Sequence, residues 1–91
     1  MQFEWNRDKA NSNLKKHGVS FNEASTVFSD PLSVTFPDPD HSYGEERYVI
    51  IGVSSANRIL IVSHSDRVDR VRIISAREAT RNEQRFYEDG E

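Results

Sequence analysis

The sequence predicts a small α+β domain in which two helices precede a sheet and one follows it. Three observations carry that prediction. Helix-capping signals stand ahead of apolar residues at helical spacing near both ends, β-branched runs fill the middle, and 91 residues allow one modest core. The expected order is β-α-α-β-β-β-β-α, a single domain over residues 1–91 with a small antiparallel sheet.

Gln2-Phe3-Glu4-Trp5 alternates as a short strand, and Asn6 is the expected N-cap of a helix running to about Lys16. Trp5 precedes that cap as a hydrophobic staple against Ala10. Gly18 can take the left-handed conformation that ends a helix. Ser20-Phe21-Asn22-Glu23 reads as a capping box, and Phe21, Ala24, Val27 and Phe28 recur at helical spacing, so a second helix ends near Asp30-Pro31. Leu32 to Phe36 reads as a strand, followed by a long loop from Pro37 to Gly44. Arg47 to Val53 and Arg58 to His64 form a hairpin of central strands about Ser54-Ser55-Ala56-Asn57, apolar on both faces. Arg70 to Ser75 is a strand with Val71 and Ile73 on one face and Arg70 and Arg72 on the other. Ser75-Ala76-Arg77-Glu78 reads as a further capping box, opening a last helix with Ala76, Ala79, Glu83, Phe86 and Tyr87 on one face.

About a third of the residues are hydrophobic and nearly a third charged, a globular balance. Cysteine is absent, which excludes disulfides, thiolate zinc sites and a cysteine nucleophile, and points to a reducing cytoplasm. The polar start MQFEWNRDK does not resemble a signal peptide, and no run approaches the roughly 20 apolar residues of a membrane span. The net charge of −3 argues against a nucleic-acid binder, but the charge is segregated. Residues 1–57 carry five basic and eight acidic side chains, residues 58–81 six arginines and three acidic, and residues 82–91 one and four. The basic excess is therefore all Arg in one segment. Arginine forks match phosphate oxygens bidentately, so the cluster suits oxyanion recognition, with a solvated charged face as the plainer explanation.

Arg77, read in the first turn of the last helix, opposes the helix dipole there. Either it completes a phosphate pocket with the backbone N–H groups of that helix end, or it is a surface residue paired with Glu78 or Glu4. His64 closes an apolar strand, and the Asp66-Arg67 that follows it suggests an acid–base group at the sheet edge within reach of substrate. A structural role for it stands beside that one. His17, after Lys15-Lys16, reads as a favourable cation at a helix C-terminus or as a contact to substrate. Asp38, Asp40, His41, Glu45 and Glu46 match no metal cage by spacing, and no metal or cofactor is expected. No Gly-rich phosphate motif and no nucleophile elbow occurs.

Phe3-Glu4-Trp5, Lys16-His17-Gly18-Val19-Ser20-Phe21, Asp30-Pro31, Gly44-Glu45-Glu46-Arg47, Arg72-Ile73-Ile74-Ser75-Ala76-Arg77 and a closing Tyr87 together resemble the BrnT toxin family, over essentially the whole chain. The resemblance implies a RelE-like fold and metal-free RNA cleavage. It also implies neutralisation by a BrnA antitoxin with a ribbon-helix-helix part, through which the complex would hold DNA. The polar pair usual after the histidine appears here as Ser65-Asp66, and the last helix is unusually acidic. The expected reaction is attack by an RNA 2′-OH on the adjacent phosphate. Arg72 and Arg77 would neutralise the phosphoryl charge, His64 would act as acid or base, and Arg67 would orient the substrate. Lys16, His17 and Arg47 are candidates for backbone contacts. The alternative is a non-catalytic nucleic-acid-binding or protein-interaction module, which the overall acidity favours.

Overall fold

Asn6 caps the first helix as its position predicts: its side-chain carbonyl accepts from the Lys9 N–H at 3.0 Å and starts α1 (Arg7–His17). Gly18, at φ +69°, stops it, with Asp8 in the first turn and Lys15, Lys16 and His17 in the last, both complementing the helix dipole. This is a computed structural model, and it describes residues 1–41 and 44–90; Ser42 and Tyr43 of the expected loop, and Glu91 of the acidic tail, lie outside the described residues.

The remaining elements are β1 (Gln2–Glu4), α2 (Phe21–Thr26) with a 3₁₀ turn Val27–Ser29, β2 (Val34–Pro37), a 3₁₀ turn Pro39–His41 inside the expected loop, β3 (Arg47–Val53), β4 (Ile59–Asp66), β5 (Arg70–Glu78) and α3 (Arg81–Asp89). The strands form one sheet in the order β1-β5-β4-β3-β2. The sheet is mixed rather than antiparallel, because β1 lies parallel to β5 while the other pairs are antiparallel. Hairpin neighbours inherit their direction from a short turn. β1 meets β5 across more than sixty residues of intervening chain, and local pattern carries no information about its direction.

One sheet face carries the core. Val19, Phe21, Ala24 and Val27 from the helical layer pack on Ile50, Leu60, Val62, Ile73 and Ala76. Trp5 lies edge-on to Phe21 at 6.0 Å between ring centroids. Ser20 caps α2 through the Glu23 N–H, but the Glu23 carboxylate does not return to it. It is taken by Arg58 (Nε–Oε2 2.9 Å) and Ser54 (2.7 Å), fastening α2 to the β3–β4 turn. Asn13, the buried residue of the polar helix α1, uses its carboxamide fully: it accepts from the Ala76 N–H and donates to the Ala76 and Val19 carbonyls at 2.8–3.0 Å. That clamp joins α1 to β5.

The second expected capping box is not one. Ser75, Ala76, Arg77 and Glu78 belong to β5, where Ala76 is 1% exposed and opposite Val62. The last helix starts five residues later than expected, at Thr80, whose hydroxyl accepts from the Glu83 N–H while Glu83 accepts from the Thr80 N–H. The capping signal at Ser75 loses because burying Ala76 and pairing its backbone with Asn13 satisfies the same groups more completely.

Gly52 lets the 3₁₀ turn approach β3. A Cβ there would stand 2.9 Å from Val27 Cγ1 and 3.0 Å from Ser33 Cβ, so Gly52→Ala is expected to destabilise the fold by about 1–3 kcal/mol. A lowered urea midpoint at unchanged m-value checks this; an unchanged midpoint would show that the turn yields freely.

Candidate functional site

The sheet face opposite the core is built by register. Arg47, Ser65, Arg72 and Glu4 are cross-strand neighbours in one row; Phe36, Val49, Ser63 and Ser75 form the next; Val34, Ile51, Ile61 and Arg77 form the third. A strict two-residue period would put Arg72 and Arg77, five positions apart, on opposite faces. The bulge opposite Ser63/His64, where Ile74 is the extra residue on β5, brings both to the same face.

α3 covers one end of this face. Phe86 packs on Phe36 with ring centroids 5.5 Å apart, and the Tyr87 hydroxyl donates to the Asp30 carboxylate. Burial pushes the Asp30 carboxyl up, but hydrogen bonds from Tyr87, Val53 and Leu32 outweigh it and hold the group below its usual range. The Tyr87 hydroxyl is in turn pushed up to about 12 by its bond to Asp30. These contacts fix α3 at the edge of a cleft of about 760 Å³, floored by Val49, Ile51 and Ile61 and walled by Phe36, Phe86, Ser63, Ser75, Asn82, Glu83, Arg77 and His17.

Arg77 therefore lines this cleft, but from a strand. Its guanidinium grips Glu83 as a fork, Nη1–Oε1 2.7 Å and Nη2–Oε2 2.9 Å, rather than the Glu78 or Glu4 carboxylate, and Nη1 also donates to the Glu78 backbone carbonyl at 3.3 Å. That bond, reinforced by the Thr80 cap, lowers the Glu83 carboxyl from 4.5 to about 2. A carboxyl with a depressed folded value contributes stability above its unfolded value and loses it as pH falls. The stability gap between wild type and Glu83→Gln is thus expected to be constant above about pH 4.5 and to close towards pH 2. A gap that persists near pH 2 would assign the contribution to neutral hydrogen bonding.

His17, half-buried at the end of α1, shares the cleft with Arg77. A shallower depression of about 320 Å³ adjoins it through His17 and Ser75 and brings in Lys16. The structure thus gathers Lys16, His17 and Arg77.

The other expected site residues stand apart. Arg72 lies about 16 Å from Arg77 along the backbone of β5 at roughly 3.3 Å per residue, two rows away on the same face, and does not line the cleft. Arg72 makes no ion pair among the described residues and shares its row with Arg47. Arg67 lies past the far end of β4, exposed, 3.5 Å from Glu45. His64 is not at a sheet edge. It lies on the central strand β4, faces the core and is 3% exposed between Phe28 and Tyr48, at 4.8 and 5.9 Å between ring centroids. Burial holds its imidazole below the usual range, and its Nε2 is 3.9 Å from Asp66. Among the described residues no group of three His, Asp or Glu side chains is arranged to hold a metal ion. No helix in them is long and apolar enough to cross a membrane.

Sequence reasoning missed Glu83, Ser63, Phe36 and Asn82 as cleft residues. The Thr80-Arg81-Asn82-Glu83 capping box was present in the sequence and would have located Glu83.

A mixed five-stranded sheet with its core on one face and an arginine- and histidine-bearing cleft on the other defines a small α+β protein suited to an anionic ligand with an apolar part. The model of the family "Ribonuclease toxin, BrnT, of type II toxin-antitoxin system" matches residues 5–83, and the chain belongs to that family. Among solved structures, the Brucella abortus ribonuclease toxin BrnT is similar in fold, with a TM-score of 0.69 at 24% identity over 89% of this chain and 99% of that one. No curated protein matches the sequence.

Proposed function

We propose that this ribonuclease toxin is an endoribonuclease that needs no metal and leaves a 2′,3′-cyclic phosphate and a 5′-hydroxyl. The observation that supports this is the sharing of one cleft by His17 and Arg77. The 2′-oxygen loses its proton and attacks phosphorus, and the 5′-oxygen leaves and takes a proton up. His17 moves the proton at one of these oxygens, while Arg77, positioned by Glu83, neutralises the charge gathering on the phosphoryl group. Lys16 contacts the backbone beside the cleft. Arg72 and Arg47 hold it one row beyond, and Arg67 orients the flanking strand farther out. His64, the first candidate for proton transfer from sequence, is by this proposal a packing residue between Phe28 and Tyr48.

By the same reading, cleavage in the cytoplasm inhibits translation and growth. The antitoxin is a BrnA-like ribbon-helix-helix protein that occludes these arginines and through which the complex holds DNA.

Incubation of the purified chain with bulk RNA in EDTA is expected to yield fragments with cyclic phosphate ends. Intact RNA would overturn the proposal, and cutting restored by divalent cations would replace it with a metal nuclease. RNA that shifts but stays whole would favour the non-catalytic binding module. In the same assay Arg72→Ala is expected to weaken binding and to flatten the log–log salt dependence by about 0.7, the value of one lost single-strand phosphate contact.

A further inference from the structure

The cleft has a half that phosphate chemistry does not use. A phosphate site needs cations and N–H donors, yet Phe36 and Phe86 form an aromatic wall over a floor of Val49, Ile51 and Ile61. Phe36 is 41% exposed on an edge strand, so its packing on Phe86 still leaves much of the phenyl ring open to the cleft. Beside it stand Asn82, with a carboxamide that can donate and accept, and the hydroxyls of Ser63 and Ser75. The cationic side of the same cleft holds His17 and Arg77, so an apolar ligand placed here would have to carry negative charge at one end.

Resting on the ribonuclease reading above, the geometry points to a subsite for one unpaired nucleobase next to the scissile phosphate, with Phe36 and Phe86 as its stacking surface and Asn82 at its hydrogen-bonding edge. Single-stranded RNA is recognised in this way elsewhere, by unstacked bases laid on aromatic side chains of a sheet face. The cleft's shape argues for a base over a protein partner. About 760 Å³ of concave space falls within the range of small-ligand pockets, whereas a stable protein interface is a broader patch of about 800 Å² per partner. An aromatic wall and an arginine in the same cleft suit a nucleotide, which joins a flat apolar ring to an anion. Glu83 keeps Arg77 oriented across the mouth and limits the cationic charge inside, so discrimination falls to stacking and to the base edge.

The test uses short single-stranded RNAs that carry one abasic position on either side of the cut, with the wild-type chain and the variants Phe36→Leu and Phe36→Tyr. Leucine keeps the apolar packing on Phe86 but has no π face; tyrosine keeps both. For the wild type, loss of one particular flanking base is expected to slow cleavage roughly five- to a hundredfold, the range of base–aromatic stacking. Phe36→Leu should show that same loss on intact RNA and almost none beyond it on the abasic RNA, and Phe36→Tyr should cut like wild type. Losses that multiply, or a Phe36→Leu protein that cuts intact RNA at the wild-type rate, would overturn the subsite while leaving the ribonuclease reading standing. If Phe36→Leu cuts normally but escapes inhibition by the antitoxin, the aromatic wall belongs to that partner and not to RNA. A wild-type chain that cuts none of these RNAs would remove the parent reading, and the subsite with it.

Discussion

Arg77→Ala is expected to lower RNA cleavage by about 10²- to 10³-fold and to abolish growth inhibition, with the protein still folded. The magnitude is that of one preorganised donor removed from where charge develops. Arg77 can supply it because its planar fork is already held in position: β5 fixes the backbone, and both carboxylate oxygens of Glu83 fix the guanidinium. The stability cost is small by comparison. The pair is partly exposed, at 41% and 33% of the two side chains, and such pairs contribute at most about 1 kcal/mol. Arg77→Lys should recover only part of the rate, since an ammonium cannot reproduce the bidentate geometry. Cleavage rate and thermal midpoint measured on the same preparations separate the roles. A midpoint that collapses together with the rate would make Arg77 structural, and a rate within a few-fold of wild type would remove it from the mechanism.

The second large effect divides the two histidines. His17→Ala is expected to slow cleavage by about 10²-fold or more, the value of a positioned proton-transfer group. His64→Phe, which keeps a flat ring between Phe28 and Tyr48, should cut within a few-fold of wild type. The physical ground is position: His17 opens on the cleft with Arg77, while His64 is buried on the other side of the sheet, where burial favours its neutral form. The reverse pattern, with His64→Phe losing two decades and His17→Ala active, would return the acid–base role to His64. It would also require the helical layer to open over it during catalysis.

Much of the fold was legible from the sequence. Asn6 and Gly18 bracket α1, Ser54 to Asn57 turns the β3–β4 hairpin, and Val71 and Ile73 lie opposite Arg70 and Arg72, all as local chemistry predicts. The stretches KHGVSF and RIISAR pointed to the family that the match over residues 5–83 establishes. Of the candidate residues picked out by the sequence, His17 and Arg77 line the cleft, and their arrangement was not legible. Arg77 is the clearest example, chosen on the ground that a cation opposes the first turn of its helix, when it stands on a strand and meets that helix through Glu83.

The sequence by itself determined what is decided within a few residues: caps, turns, the alternation of faces, and which segment carries the arginines. Tertiary structure decided what depends on partners distant in the chain. β1 runs parallel because it meets β5. Ser75 to Glu78 extends a strand because Asn13, 63 residues before Ala76, satisfies the Ala76 backbone. The single bulge at Ile74 brings Arg77 to the face that Arg72 already occupies. His64 lies at the centre of the sheet for the same reason, while His17 keeps the helix end that its neighbours predict. An apolar strand ending in histidine looks alike at an edge or at the centre of a sheet, and only the strands that pair on either side of it settle which it is.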